Sequence, residues 1–147
     1  MSPIRDNDAP LPEHTRPATT DDATVAAVGK LSEALETVER ARGRLYDFHQ
    51  LTGSADLALG EAVDELRDAG HADLADRIET ELVGRNVISG RWTFQVVEEY
   101  DDGYYALFRA LEQTAREDLL EGRRHIYEAE MKEARRSHGR PGHEPHP

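Results

Sequence analysis

The spacing of apolar residues between Thr93 and Ala115 is the tightest constraint on what this chain can fold into. Two templates compete there. Trp92, Phe94 and Val96, then Tyr104, Ala106 and Phe108, alternate as the arms of a hairpin would, and Asp102-Gly103 is a favourable turn pair. The helical template accounts for more positions. At about 100° per residue, Thr93, Val96, Val97, Tyr100, Tyr104, Leu107, Phe108, Leu111, Thr114 and Ala115 share an arc of about 120°. Glu98, Glu99, Asp102, Arg109, Gln113 and Arg116 fall opposite. A hairpin would continue the 3.6-residue pattern through its own turn only by accident. The segment therefore predicts one helix over 91–118, with Gly103 costing about 1 kcal/mol relative to alanine.

The same periodicity predicts a helix over 21–51, with Val28, Leu31, Leu35, Val38, Leu45 and His49 on one side and Thr19, Thr20 or Asp21 as its cap. Thr52-Gly53-Ser54 reads as a break. Beyond it come a helix over 55–69, facing inward through Leu59, Ala62, Val63 and Leu66 and stopped by Gly70, and a short one over 72–83. A last helix over 123–137 turns Ile126, Tyr127 and Met131 inward. The expectation is an all-α protein, an antiparallel bundle of four to five helices forming one domain over 21–137. A proline-rich arm over 1–20 and a His/Pro/Gly tail over 138–147 are expected to be disordered.

Composition narrows the function classes. The formal net charge is -12, with the acidic excess inside the expected bundle and only the final stretch, 132–147, clearly basic. That distribution argues against nucleic-acid and anionic-membrane binding. The basic run Arg40, Arg42 and Arg44 is explained by pairing with Glu36 and Glu39 one turn away. Cysteine is absent, which excludes disulfides, thiolate catalysis and cysteine-ligated zinc. No apolar run approaches the ~20 residues of a membrane-spanning helix, and the first twenty residues do not read as a signal peptide. A cytoplasmic location is the expectation.

Candidate chemistry is sparse. Glu33-Ala-Leu-Glu36 and Glu61-Ala-Val-Asp64 have a spacing that resembles the magnesium-holding pairs of the all-α nucleotide pyrophosphohydrolases. Such a site needs both pairs facing each other inside the bundle, and the helical phase turns these toward water. His125 shares an outer face with Glu121 and Glu128 and reads as a charge-paired surface. No metal or cofactor is expected.

The interior candidates are Arg42 and His49 on the first helix, Arg123 and Glu130 on the last, and the hydroxyls of Tyr46, Tyr100 and Tyr127. They would make one buried polar network if those helices pack together, because such groups are costly inside a protein unless paired. Phe94 and Tyr105 lie just outside the main apolar stripe and are expected to stay exposed as an interface. The functional expectation is a non-enzymatic interaction or scaffold protein that forms homo-oligomers. The alternative is a small-anion-binding or metal-dependent helical bundle using Arg42, His49, Tyr100, Arg123 and Glu130.

Overall fold

The computed structural model describes residues 8–147. Among them every element is helical, apart from one isolated antiparallel bridge between Ile88 and Arg91. Helix α1 is Asp22–Asp68, α2 is Ala72–Glu81 and α4 is Ile126–Arg135. Helix α3 covers 93–120 as α-helical Thr93–Tyr100, a π-helical turn Asp101–Tyr105 and α-helical Ala106–Leu120. The all-α expectation holds with four helices, and the hairpin alternative is excluded.

The expected break at Thr52-Gly53-Ser54 is not there; α1 is a single helix of 47 residues. Thr52 does not cap a new helix. Its Oγ1 donates back to the Phe48 carbonyl at 2.6 Å, a bond that keeps the hydroxyl satisfied within the helix. Once a helix is nucleated, each further residue adds a hydrogen bond, so a single glycine slows propagation without stopping it. Termination comes at Gly70, in the left-handed region at φ +91. There the His71 N–H reaches the Leu66 carbonyl at 2.8 Å, closing the end of α1 as a Schellman-type cap.

The π-helical turn corrects the sequence reading of α3. A π turn inserts one residue into an α-helix, so every side chain beyond it is rotated by one position. Before the turn the inward residues are Thr93, Val97 and Tyr100, as expected. After it they are Tyr105, Phe108 and Glu112, whereas Tyr104, Leu107 and Leu111, assigned inward by an uninterrupted 3.6-residue count, are all more than half exposed.

By contacts the chain divides into two units: one made of the chain up to Thr37 with Leu107–Pro147, the other of Val38–Ala106. In the first, Val25 and Val28 of α1 cluster with Leu120 of α3 and Ile126 of α4, each at most 4% exposed. Ser32 Oγ donates to Glu112 Oε1 at 2.9 Å, and Arg116 Nε donates to the same oxygen at 2.8 Å, so the buried Glu112 carboxylate is paired. Position numbers fall along α1 as they rise along α3, so the two segments run antiparallel. Gly29 lets α4 approach closely: a Cβ there would lie 2.9 Å from that of Tyr127.

In the second unit α1 and α3 are again antiparallel, through Glu39 with Tyr105, Arg42 with Asp101 and His49 with Thr93. Val63, Ala75 and Val97 are its buried apolar residues. Arg67 joins the end of α1 to α2 through Asp76 and Glu79.

Residues 1–7 of the expected arm lie outside the described residues. Its remainder contains a single 3-10 turn, Pro12–His14, and Arg16 beyond it grips Glu130 of α4 through Nε and Nη2 at 2.7 and 2.8 Å. After α4, the fully covered Arg136 side chain bonds Asp8, Glu133 and the His143 carbonyl.

Candidate functional site

The interior candidates fall into two sets. Arg42 belongs to the second unit, where its Nε and Nη2 donate to the two carboxylate oxygens of Asp101 at 2.7 and 3.1 Å. Its guanidinium also lies 5.0 Å from the Tyr46 ring centroid and 4.8 Å from that of Tyr105. The Arg42 hydrogen bonds hold the Asp101 carboxyl below the ordinary carboxylate range, and a bond from Tyr46 adds to this. His49 is one step away in kind: Nδ1 shares a 2.7 Å hydrogen bond with Thr93 Oγ1, the first residue of α3. Tyr100 stacks on Tyr105, with ring centroids 6.5 Å apart.

Arg123 and Glu130 belong to the first unit and have other partners. Glu130 receives Arg16, and Arg123 donates to the Thr15 carbonyl and to Glu121. The single network expected from sequence is therefore corrected to two local sets. Asp101 and Arg16, the actual partners of Arg42 and Glu130, were missed. Asp101 sits at the start of the π turn, and Arg16 belongs to the segment expected to be a loose arm.

Tyr105 is also corrected. It is half-buried, its hydroxyl donating to Glu39 Oε1 at 2.6 Å, because the π turn rotates it inward. Phe94 keeps its expected exposure at 41%, and the aromatic beside it is Trp92, 57% exposed. Their ring centroids are 5.3 Å apart.

These two rings stand at the edge of a cleft of about 690 Å³. Its lining includes Ala55 and Leu59 of α1, Leu82 at the end of α2 and Val87 in the connection to α3. The connection is pinned by Gly84, whose N–H donates to Asp56 Oδ1 at 2.8 Å at a φ of +70. Trp92 is held at its polar edge, Nε1 donating to Asn86 Oδ1 at 3.1 Å, while the side chain stays 57% exposed. A cleft of this size and lining takes apolar matter. Its charged neighbour Arg85 and the already bonded Asp56 do not make an acid–base or nucleophile–base pair.

The remaining candidates are on the surface. Glu33 is exposed and pairs with Lys30, and Glu61 and Asp64 are exposed too, as the helical phase implies. His125 pairs with Glu128 at 2.9 Å, while Glu121 turns to Arg123. Glu36 of α1 joins His125 and Glu128, one ligand atom from each lying within 4.8 Å of the others. This meeting of positions 36 and 125 has no signal in the sequence.

Among the described residues no helix is long and apolar enough to cross a membrane. No family model, no curated protein and no solved structure matches this chain.

Proposed function

We propose that this protein is a non-enzymatic interaction module whose Val38–Ala106 unit associates with the same unit of a second copy. The observation that carries the reading is the cleft lined by Leu59, Leu82, Val87, Trp92 and Phe94, with four of these five apolar side chains more than two-fifths exposed. Exposed apolar surface gathered in one place is the usual mark of a contact face.

A second copy is the occupant because the cleft lies beside its own complement. On α1, beside the Ala55 and Leu59 that line the cleft, Phe48, Leu51, Ala58 and Ala62 recur at spacings of three, seven and four and are exposed. This is the seam pattern with which one helix meets another. A ridge next to a groove can be satisfied twice by a two-fold axis, each ridge entering the other copy's groove. The anion-binding alternative is less favoured, since Arg42 is already committed to the Asp101 carboxylate and an anion would have to displace it.

Trp92 is the single tryptophan, so its fluorescence reports this face alone. On raising the protein concentration its emission should shift to the blue as sedimentation detects dimer. Leu51→Asp, on the exposed ridge, should abolish both changes while leaving helicity intact. A sedimenting monomer at all concentrations would overturn the reading.

A further inference from the structure

We infer that Glu36, His125 and Glu128 form a binding site for a divalent transition-metal ion of the zinc class. The site bridges α1 and α4 within the first unit. It is independent of the apolar cleft, and each would stand if the other failed.

The donor set is mixed, with two carboxylates and one imidazole, and Glu36 stands 89 and 92 residues before His125 and Glu128 in the chain. One ligand atom from each residue lies within 4.8 Å of the others. Around a tetrahedral zinc ion with bonds of about 2.0–2.2 Å, donor atoms stand roughly 3.3–3.5 Å apart. The set therefore needs to adjust by at most little more than an ångström, a movement within reach of side chains about half exposed, as His125 and Glu128 are. The backbone contributes the placement of the ring. His125 stands immediately before α4 in the left-handed region at φ 56, and Glu128 is its neighbour three residues on.

Charge and ligand type select the metal. Two carboxylates neutralise a dication, offsetting the partial positive charge at the start of α4 that works against a cation there. An imidazole nitrogen favours zinc and its neighbours over magnesium or calcium, which prefer all-oxygen shells. With three protein ligands, the fourth position is left to water. In the metal-free chain the His125 Nδ1 and a Glu128 oxygen already lie 2.9 Å apart, and the ion would bind between them.

The test is calorimetric titration of the full, untagged chain with Zn²⁺, beside three variants. Glu36→Gln removes the α1 ligand at an exposed position; His125→Asn removes the imidazole with a residue that tolerates the left-handed backbone. The third variant replaces His138, His143 and His146 together by alanine, removing the competing donors of the tail. One equivalent should bind to the parent and to the tail variant, with affinity at least tenfold weaker in Glu36→Gln and in His125→Asn. Parent-like affinity in Glu36→Gln, or loss of the equivalent in the tail variant, would overturn the assignment. Magnesium binding as tight as zinc binding would overturn the choice of metal.

Discussion

Arg42 of α1 holds Asp101 of α3 through two parallel hydrogen bonds, at the residue where the π-helical turn begins. Two-point contact between a guanidinium and a carboxylate fixes direction as well as distance. It therefore sets the register of α1 against α3 in the Val38–Ala106 unit, between the neighbouring contacts of Glu39 with Tyr105 and His49 with Thr93.

That pair gives the unit an acid-sensitive lock. Arg42 lowers the Asp101 pKa in the folded state, so its stabilisation is fully present above the unfolded value of about 4 and is lost as pH falls through the folded one. Asp8 and Glu133, lowered chiefly by hydrogen bonds from Arg136, act in the same direction in the other unit. Urea unfolding followed from pH 7 to pH 3 should show stability falling on the acid side. In Asp101→Asn the midpoint at pH 7 should drop by roughly a few tenths molar, and the acid-side slope should shrink. An unchanged slope would show that Asp101 does not titrate differently in the two states.

Glycines on α1 separate into two kinds, and this gives opposite substitutions on one helix. Among the described residues nothing outside the helix's own neighbouring backbone lies within 4 Å of a Cβ at Gly43, so Gly43→Ala should stabilise by about 0.5–1 kcal/mol through helix propensity alone. At Gly29 the added methyl meets Tyr127 Cβ at 2.9 Å and Cγ at 3.1 Å. These atoms lie close to the α4 backbone and cannot swing away, so α4 itself must move. Gly29→Ala should therefore lose the propensity gain and destabilise by about 1–3 kcal/mol, the usual range for overpacking. Thermal unfolding of the two variants beside the parent tests both signs.

How far the sequence could be read depended on whether a feature was local. The periodicity of 93–100, the stop at Gly70 and the outward turn of Glu61 and Asp64 each follow from a few neighbouring residues, and each agrees with the structure. The continuity of α1 through Thr52-Gly53-Ser54 did not, because a local turn signal lost to helix propagation and to the Thr52–Phe48 bond. Beyond Tyr100 the inner face was read correctly at Phe108 but wrongly at Tyr104, Leu107 and Leu111, which turn outward, and at Tyr105, which turns inward, for want of any pattern that announces a π turn. Pairings such as Arg42 with Asp101, Arg16 with Glu130 and Glu36 with His125 depend on which helices meet, and one sequence does not encode that legibly.

The π turn can be tested by removing what it inserts. Deleting Gly103 shortens α3 by one residue within the turn, which should convert it to α-helix while leaving Tyr105, Phe108 and Glu112 facing inward. The variant should keep its helicity and be at least as stable as the parent, since a helical glycine costing about 1 kcal/mol is gone. Circular dichroism and thermal melts decide it. Loss of cooperative unfolding would mean that the extra residue is required for the Arg42–Asp101 contact.

Salt distinguishes the proposed apolar interface from one held by ion pairs. Each copy carries a formal charge of -12 at pH 7, so two copies repel over distances that salt screens, with a Debye length of about 10 Å at 0.1 M. Association through Trp92, Phe94 and the α1 ridge gains from screening, because burial of apolar surface does not depend on opposite charges. Sedimentation at low salt and at about 0.3 M should show the dimer dissociation constant falling several-fold as salt is added. Association that weakens with salt would place ion pairs at the contact, and the acidic face of α3 meeting Arg40 and Arg44 of another copy would then explain it better than the cleft.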